Sequence, residues 1–418
     1  MQTWTPPQCD HGFDATVSIP GSKSMTNRAL VLAALGRGRS TLTGWLEARD
    51  TTLMIDGLRA LGARIHIDHQ RLVVESGPAP DRADIDCGLA GTVMRFLPPV
   101  AALSQAEVRF TADAQAAARP LTPMLQALRD LGADVAGDHL PFTVHGTGQL
   151  RGGKVTLDAS ASSQFVSGLL LSGAAMRHGL DLRHNGPPLP SMPHIEMTVA
   201  MLAEVGVTVL GEADQWTVDP AAVPAHDWTI EPDLSNAGPF LAAAMVTGSR
   251  VTVQRWPAHT TQAGDYWRGF LRMLGAEVEL DNHGLHVTGQ DFDGFDVNLR
   301  AVGELTPTIA ALAACARTPS RLRGIGHLRG HETDRIAAIA AELERVGVEV
   351  ETTDDGLSID PSGRAATSDA VIQTYADHRM ATMGAVLALR IPGLRVADPA
   401  TTTKTMPDFV QKWETMLR

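Results

Sequence analysis

Five cations sit in short motifs spread along the chain. They are Lys23 in "SIPGSKSMTNRAL" (18–30), Arg119 in "AAARPL", Arg335 in "HETDR", Arg379 in "DHRMA" and Lys404 in "TTKT". Cations beside serine, threonine and glycine suit the binding of a phosphate or carboxylate. A nucleotide-binding P-loop, G-x-x-x-x-G-K-[ST], would place Lys23-Ser24 at its last two positions and needs glycine at 17 and 22. Val17 and Ser22 stand there, so that loop is excluded. What remains is a helix start. Val17-Ser18-Ile19 reads as a strand end, Pro20-Gly21 breaks it, and "MTNRALVLAAL" (25–35) favours helix. Ser22 and Ser24 are both N-cap candidates. A helix N-terminus offers unpaired N–H groups and the positive end of a dipole to an anion, and Lys23 and Arg28 add full charges. The plain alternative is a capped helix with solvated cations.

Similar openings recur. "LAGTVMR" carries Gly91, Thr92 and Arg95; "SASSQF" carries Ser162, Ser163 and Gln164; "EPDLSNAG" carries Glu231, Asp233, Ser235 and Asn236. Glu304 and Thr306 open a fifth helix, and Asp377, His378 and Arg379 a sixth. Taken singly, each has a structural explanation. "LAGT" would be a turn with Thr92 as N-cap, "SSQF" a polar cap, "HETDR" a capping sequence with an intrahelical ion pair, and "DHR" a solvated loop. Their recurrence at matching positions argues for one shared anion site.

The elements that would position them follow a repeat. An apolar residue, two variable positions, an apolar residue, Gly, a small or apolar residue, one variable position and then Val or Ile recur as "LRALGARI", "LRDLGADV", "LAEVGVTV", "LRMLGAEV" and "LERVGVEV". The shared glycines are Gly62, Gly132, Gly206, Gly275 and Gly347, spaced by 70, 74, 69 and 72 residues. Each phrase predicts a helix end, a left-handed glycine cap and a strand. Six helices apolar on nearly every face also recur and are expected to be buried: "TNRALVLAAL", "TVMRFLPPVAAL", "SQFVSGLLLSGAA", "AGPFLAAAMV", "TPTIAALAACA" and "RMATMGAVLAL". Each unit adds an amphipathic helix; the sixth ends with "MPDFVQKWETMLR" and no following strand. Two lobes of three repeats are expected, 21–230 and 1–20 plus 231–418, with the strand before Gly21 completing the other lobe.

Composition sets bounds. The 418 residues include 35 basic and 47 acidic side chains, a formal net charge of −12. Such a charge argues against a broad nucleic-acid surface and requires any anion site to concentrate its cations locally. Three cysteines, Cys9, Cys87 and Cys315, suggest no disulfide framework and a reducing compartment. The N-terminus lacks the pattern of a signal peptide, and no apolar run reaches the ~18 to 20 residues of a membrane span; a cytoplasmic protein is expected. No cysteine pair has zinc-ligand spacing, and neither H-E-x-x-H nor G-x-S-x-G is present. His66 and His69 are expected on a surface strand rather than at a metal.

Together, "PGSKSMTNRAL", "LAGTVMR", "RPLTPMLQALRDLGA", "SSQF", "LPSMPHIEMT", "HETDR", "DHRMA" and "TTKTMPDF" resemble the 3-phosphoshikimate 1-carboxyvinyltransferases, the EPSP synthases, in order from about residue 15 to 412. The resemblance implies an α/β fold of two lobes, each of three βαβαββ repeats (an inside-out α/β barrel), with the active site in the cleft between them. It implies transfer of the enolpyruvyl group of phosphoenolpyruvate to the 5-hydroxyl of shikimate 3-phosphate, releasing phosphate. It implies no metal, no cofactor and no macromolecular partner, and a monomer is expected. By motif match, shikimate 3-phosphate falls to Lys23, Ser24, Arg28, Ser162, Ser163, Gln164, Ser191, Glu304 and His331. Phosphoenolpyruvate falls to Lys23, Gly91, Arg119, Gln164, Arg335, Arg379 and Lys404. Lys23, Glu304 and Glu332 are the catalytic candidates: Glu304 as base toward the 5-hydroxyl, Glu332 as acid toward C3. Both carboxyls need pKa values tuned by their surroundings.

Five positions depart from the common family pattern: Leu89 for Asn, Phe96 for Pro, His194 for Tyr, Glu304 for Asp and His331 for Lys. The same set marks an actinobacterial branch of the family. Leu89 and Phe96 bear on the response to the inhibitor glyphosate. Three other readings compete with this one. The related UDP-N-acetylglucosamine enolpyruvyltransferases carry a Cys in the loop before "ARP" and Asn after the early Lys, whereas this chain has "TADAQAAARP" and Ser24. A non-catalytic anion-binding module would be expected to lose Glu304 and Glu332. An RNA 3′-phosphate cyclase-like role conflicts with the charge.

Overall fold

The computed structural model describes residues 2–9, 11–68, 70–117, 119–212, 214–330 and 333–418. The chain forms two units, a continuous one, Gly21–Ile230, and a split one made of residues 1–20 and 231–418. Each has its own apolar core.

The α-helices among the described residues are α1 (Lys23–Leu35), α2 (Arg49–Ala60), α3 (Gly91–Leu103), α4 (Ala114–Ala117), α5 (Thr122–Asp130), α6 (Gln164–Gly173), α7 (Met192–Glu204), α8 (Leu234–Thr247), α9 (Tyr266–Met273), α10 (Thr306–Cys315), α11 (Arg335–Glu344), α12 (His378–Ala388) and α13 (Phe409–Met416). The six expected buried helices are α1, α3, α6, α8, α10 and α12. Their Ala, Gly and Leu side chains present thin, apolar surfaces all round, so three of them pack against one another at the centre of each unit. The amphipathic helices α2, α5, α7, α9, α11 and α13 bury one face only.

The second repeat shows the plan: strand Arg82–Asp86, α3, strand Glu107–Thr111, α5, then the hairpin Asp134–Ala136 and Phe142–His145. The first two strands pair in parallel and the hairpin adds antiparallel. The second strand alternates exposed and buried residues, as a sheet with one face in water requires. Five sheets have four strands in this order; the sixth has three, Val371–Ile372, Arg395–Ala397 and Thr3–Trp4. All five phrase glycines have φ between 74 and 99°, and a strand follows each.

Two strands are exchanged along the chain. Asp14–Val17 precedes α1 yet pairs with Arg250–Gln254 in the split unit. Asp227–Thr229 precedes α8 yet pairs with Arg39–Thr43 in the continuous unit. Each unit thereby completes its own sheets with a strand that adjoins the other unit in sequence.

Candidate active site

In the continuous unit, the N-terminal turns of α1, α3 and α6 meet. Ser22 caps α1, its Oγ accepting from Met25 N at 3.4 Å, so Ser24 lies inside the helix. Lys23 Nζ is 3.2 Å from Asp50 Oδ2, and that carboxylate is buried. Ala90, not Thr92, is the N-cap of α3; Thr92 Oγ1 instead accepts from Asn27 Nδ2 at 2.7 Å, joining α3 to α1.

Arg28 is 1% exposed. Its Nε donates to Thr198 Oγ1 at 2.7 Å, Nη1 to Ser24 O at 2.9 Å, and Nη2 to His194 O at 2.9 Å and Ser167 Oγ at 3.2 Å. The guanidinium lies over the Phe96 ring, 5.2 Å from its centroid. Every partner is neutral, and no carboxylate pairs with Arg28 among the described residues. Burial lowers its pKa to about 9, which leaves a full, uncompensated charge at neutral pH.

A second knot forms around Gly91. Arg95 Nη1 donates to Gly91 O at 3.2 Å and to Gln164 Oε1 at 3.3 Å. A Cβ at Gly91 would come within 2.8 Å of Arg95 Nη1, 3.3 Å of Gln164 Oε1 and 3.6 Å of Arg119 Nη1, so the missing side chain lets these groups converge. Arg119 Nη1 donates to Leu89 O at 3.1 Å. Its Nε and Nη2 are buried with no partner among the described residues. Ser162 Oγ accepts from Gln164 N at 3.3 Å at the start of α6, and Ser163, the N-cap, is buried. Ser191 caps α7 in the left-handed conformation, φ 53°, which a residue with a side chain adopts only under constraint.

In the split unit, Asp233 caps α8 by accepting from Asn236 N at 3.1 Å. Ser235 Oγ donates to Glu304 Oε1 at 3.5 Å. Arg335, the first residue of α11, forms a fork with Asp377: Nε to Oδ2 at 2.7 Å and Nη2 to Oδ1 at 3.2 Å, both side chains being buried. Asp377 also accepts from Arg379 N at 2.9 Å and so caps α12. Burial and the neighbouring Arg335 lower the pKa of Arg379, while Glu304, Asp233 and Asp377 oppose that shift. His327 is likewise lowered, chiefly by burial, with Glu304 pulling the other way. Lys404 is buried, and its neighbour Thr405 donates to Asn236 Oδ1 at 3.3 Å, tying this segment to the first turn of α8. The split unit therefore gathers Glu304, Arg335 and Arg379 in one electrostatic neighbourhood.

A profile of the EPSP synthase (3-phosphoshikimate 1-carboxyvinyltransferase) family matches residues 10–413. The chain belongs to the EPSP synthase family. Two structures of EPSP synthase from Acinetobacter baumannii share its fold. One has a TM-score of 0.81 at 24% identity over 99% of this chain and 97% of that one. The other has 0.79 at 24% over 97% and 96%. The enolpyruvyl transferase NikO from Streptomyces tendae follows with 0.77 at 17% over 98% and 96%.

Within this EPSP synthase-family chain, three of the departures from the common pattern acquire a physical context. Leu89 and His194 hold Arg119 and Arg28 through backbone carbonyls, contacts that any side chain preserves. Phe96 supplies an aromatic face to Arg28, a favourable seat for a buried cation. His331 and Glu332 lie outside the described residues. The capping expected of "HETDR" is present, Asp334 accepting from Ala337 N at the start of α11, and Arg335 also reaches 42 residues along the chain to Asp377; an ion pair to Glu332 lies outside the described residues. "DHR" is not a solvated loop, since Asp377 and His378 are buried. Asp50, His327, Ser167 and Thr198 carry no local sequence signal, because tertiary packing alone sets their partners.

Proposed function

We propose that this chain transfers the enolpyruvyl group of phosphoenolpyruvate to the 5-hydroxyl of shikimate 3-phosphate, releasing inorganic phosphate. The observation that carries the assignment to residues is Arg119, with two buried N–H donors lacking partners beside Gly91, Arg95 and Gln164. A buried guanidinium with unfilled donors is costly unless an anion completes it. In a chain of net charge −12, such cation-rich pockets must be built deliberately.

Shikimate 3-phosphate falls to Lys23, Ser24, Arg28, Ser162, Ser163, Gln164 and Ser191, with Glu304 and His331 toward its hydroxyls. Phosphoenolpyruvate falls to Lys23, Gly91, Arg119, Gln164, Arg335, Arg379 and Lys404. Glu304 removes the 5-hydroxyl proton as the oxygen attacks C2 of phosphoenolpyruvate. Glu332 delivers a proton to C3. The tetrahedral adduct then expels phosphate as a proton leaves C3 and the enol ether forms. The cations balance the phosphate and carboxylate charges throughout and favour departure of the phosphate. Phosphate release should require both substrates together. Lys23→Met and Glu332→Gln should each lower turnover at least ~100-fold, the loss typical of a charged or proton-transferring group. Turnover near that of the parent in either variant would remove that residue from the mechanism.

A further inference from the structure

One turn outside the motif residues is held with unusual care. Tyr375 and Ala376 are consecutive non-glycine residues at φ 53 and 54°, a conformation that a side chain resists and that surrounding structure must enforce. Glu342, near the end of α11, supplies that constraint. Its side chain is fully buried. Oε1 accepts from the Tyr375 hydroxyl at 2.7 Å, and Oε2 from the backbone N–H of Gln373 at 2.9 Å. Arg345 balances the charge, with Nε and Nη2 at 3.0 and 3.3 Å. At the other end of α11, Arg335 grips Asp377, the residue directly after the strained pair. One helix thus holds the turn on both sides. The Tyr375 side chain contributes little to the core, because the residue is 38% exposed; its buried partner is engaged through the hydroxyl. Burial and Glu342 push that phenol up to about 12, so it remains a donor throughout the neutral range.

We propose that Glu342 and Tyr375 are positioning residues: they lock the left-handed turn that presents Asp377 to Arg335 and to the Arg379 backbone, and so fix the spacing of the two guanidinium groups assigned to phosphoenolpyruvate. The proposal rests on the enolpyruvyl-transfer reading. Arg335 and Arg379 repel each other, and Asp377 is the carboxylate shared between the side chain of one and the backbone of the other. A turn that relaxes lets Asp377 withdraw and the two cations drift apart.

The test is steady-state kinetics on the full chain with Tyr375→Phe, Glu342→Gln and the double variant, monitored by phosphate release. Tyr375→Phe should raise KM for phosphoenolpyruvate about tenfold, the effect of one lost hydrogen bond, while KM for shikimate 3-phosphate stays within twofold and the melting temperature within a few degrees. The losses in the double variant should be less than additive, because Tyr375→Phe removes and Glu342→Gln weakens the same hydroxyl–carboxylate contact. Equal rises in both KM values, or additive losses, would reduce the pair to a general structural role and overturn the proposal. Should Tyr375→Phe fail to fold, the near-isosteric Glu342→Gln carries the same split between the two KM values. A parent protein that releases no phosphate with both substrates present sinks the transfer reading and the clamp with it. An active parent matched by Tyr375→Phe sinks the clamp alone.

Discussion

Arg28 shows how much a single side chain can encode and how little of it is visible in a motif. "SKSMTNR" marks a cation on the first turns of a helix, but not that its four hydrogen bonds all end on neutral oxygens. A charge buried in that way costs stability until an anion arrives. Arg28→Met should therefore leave the melting temperature of the ligand-free protein within a few degrees of the parent. Its affinity for shikimate 3-phosphate should fall about 100-fold or more, as expected when charge-assisted hydrogen bonds are lost. Calorimetry and thermal melts read both quantities, and a large loss of stability with unchanged affinity would contradict the assignment. His327 supplies a pH dependence. Its pKa is lower in the fold than in the unfolded chain, so below an unfolded value of about 6.5 the unfolded chain takes up the proton first. The stability tied to neutral His327 is complete above that pH and is lost as pH falls below it. His327→Gln should show a smaller drop in melting temperature between pH 7.5 and pH 5 than the parent does. The motif residues themselves were legible because a helix opening constrains a short stretch of sequence. Their partners were not, because Asp50, Thr198 and Asp377 are brought in from other elements.

At the level of helices and strands, periodicity carried most of the information. Five glycine phrases became five helix caps followed by strands, and the helices apolar on every face became the two buried trios. The cap at α3 was misplaced because Thr92 is a good capping residue locally but is drawn to Asn27 across the helix contact. The caps are not equally tolerant. A Cβ at Gly206 meets nothing within 4 Å, so only its positive φ resists substitution, whereas one at Gly62 would sit 2.3 Å from Pro78 O. Gly206→Ala should cost about 1 kcal/mol in urea unfolding, and Gly62→Ala clearly more. Cysteine reactivity divides in the same way. Cys87 and Cys315 are buried with their thiols pushed up to about 12 and about 11, chiefly by burial, while Cys9 is partly exposed. A thiol reagent at pH 8 should titrate one group rapidly in the native protein and three after unfolding; three rapid groups would contradict the packing.

For the whole molecule, chain order and spatial order disagree at two strands. The repeat count implied two groups of three, and the strand before Gly21 stood apart from the repeat that follows it, but periodicity could not reveal its exact register. That register is a matter of long-range pairing, Val17 with Val253 and Ala15 with Val251, and no local pattern encodes it. The continuous unit contains all the strands of its three sheets, including Asp227–Thr229. A fragment spanning 21–230 should therefore unfold cooperatively by itself. A fragment spanning 231–418 lacks Asp14–Val17 and the Thr3–Trp4 strand and leaves two sheet edges uncovered; it should aggregate unless a peptide spanning 1–20 is supplied. Soluble, cooperative behaviour of the second fragment alone would count against the exchanged topology.

The exchanged strand also sets a timetable for the ribosome. Val17 is made 236 residues ahead of its partner Val253, an interval of roughly 10 to 50 s at ordinary elongation rates. Throughout that wait the opening segment has no sheet to join, while everything from Gly21 onward can fold behind it. The nascent N-terminus must stay unattached, and must not be captured by a neighbouring edge, until the other half of the enzyme reaches it.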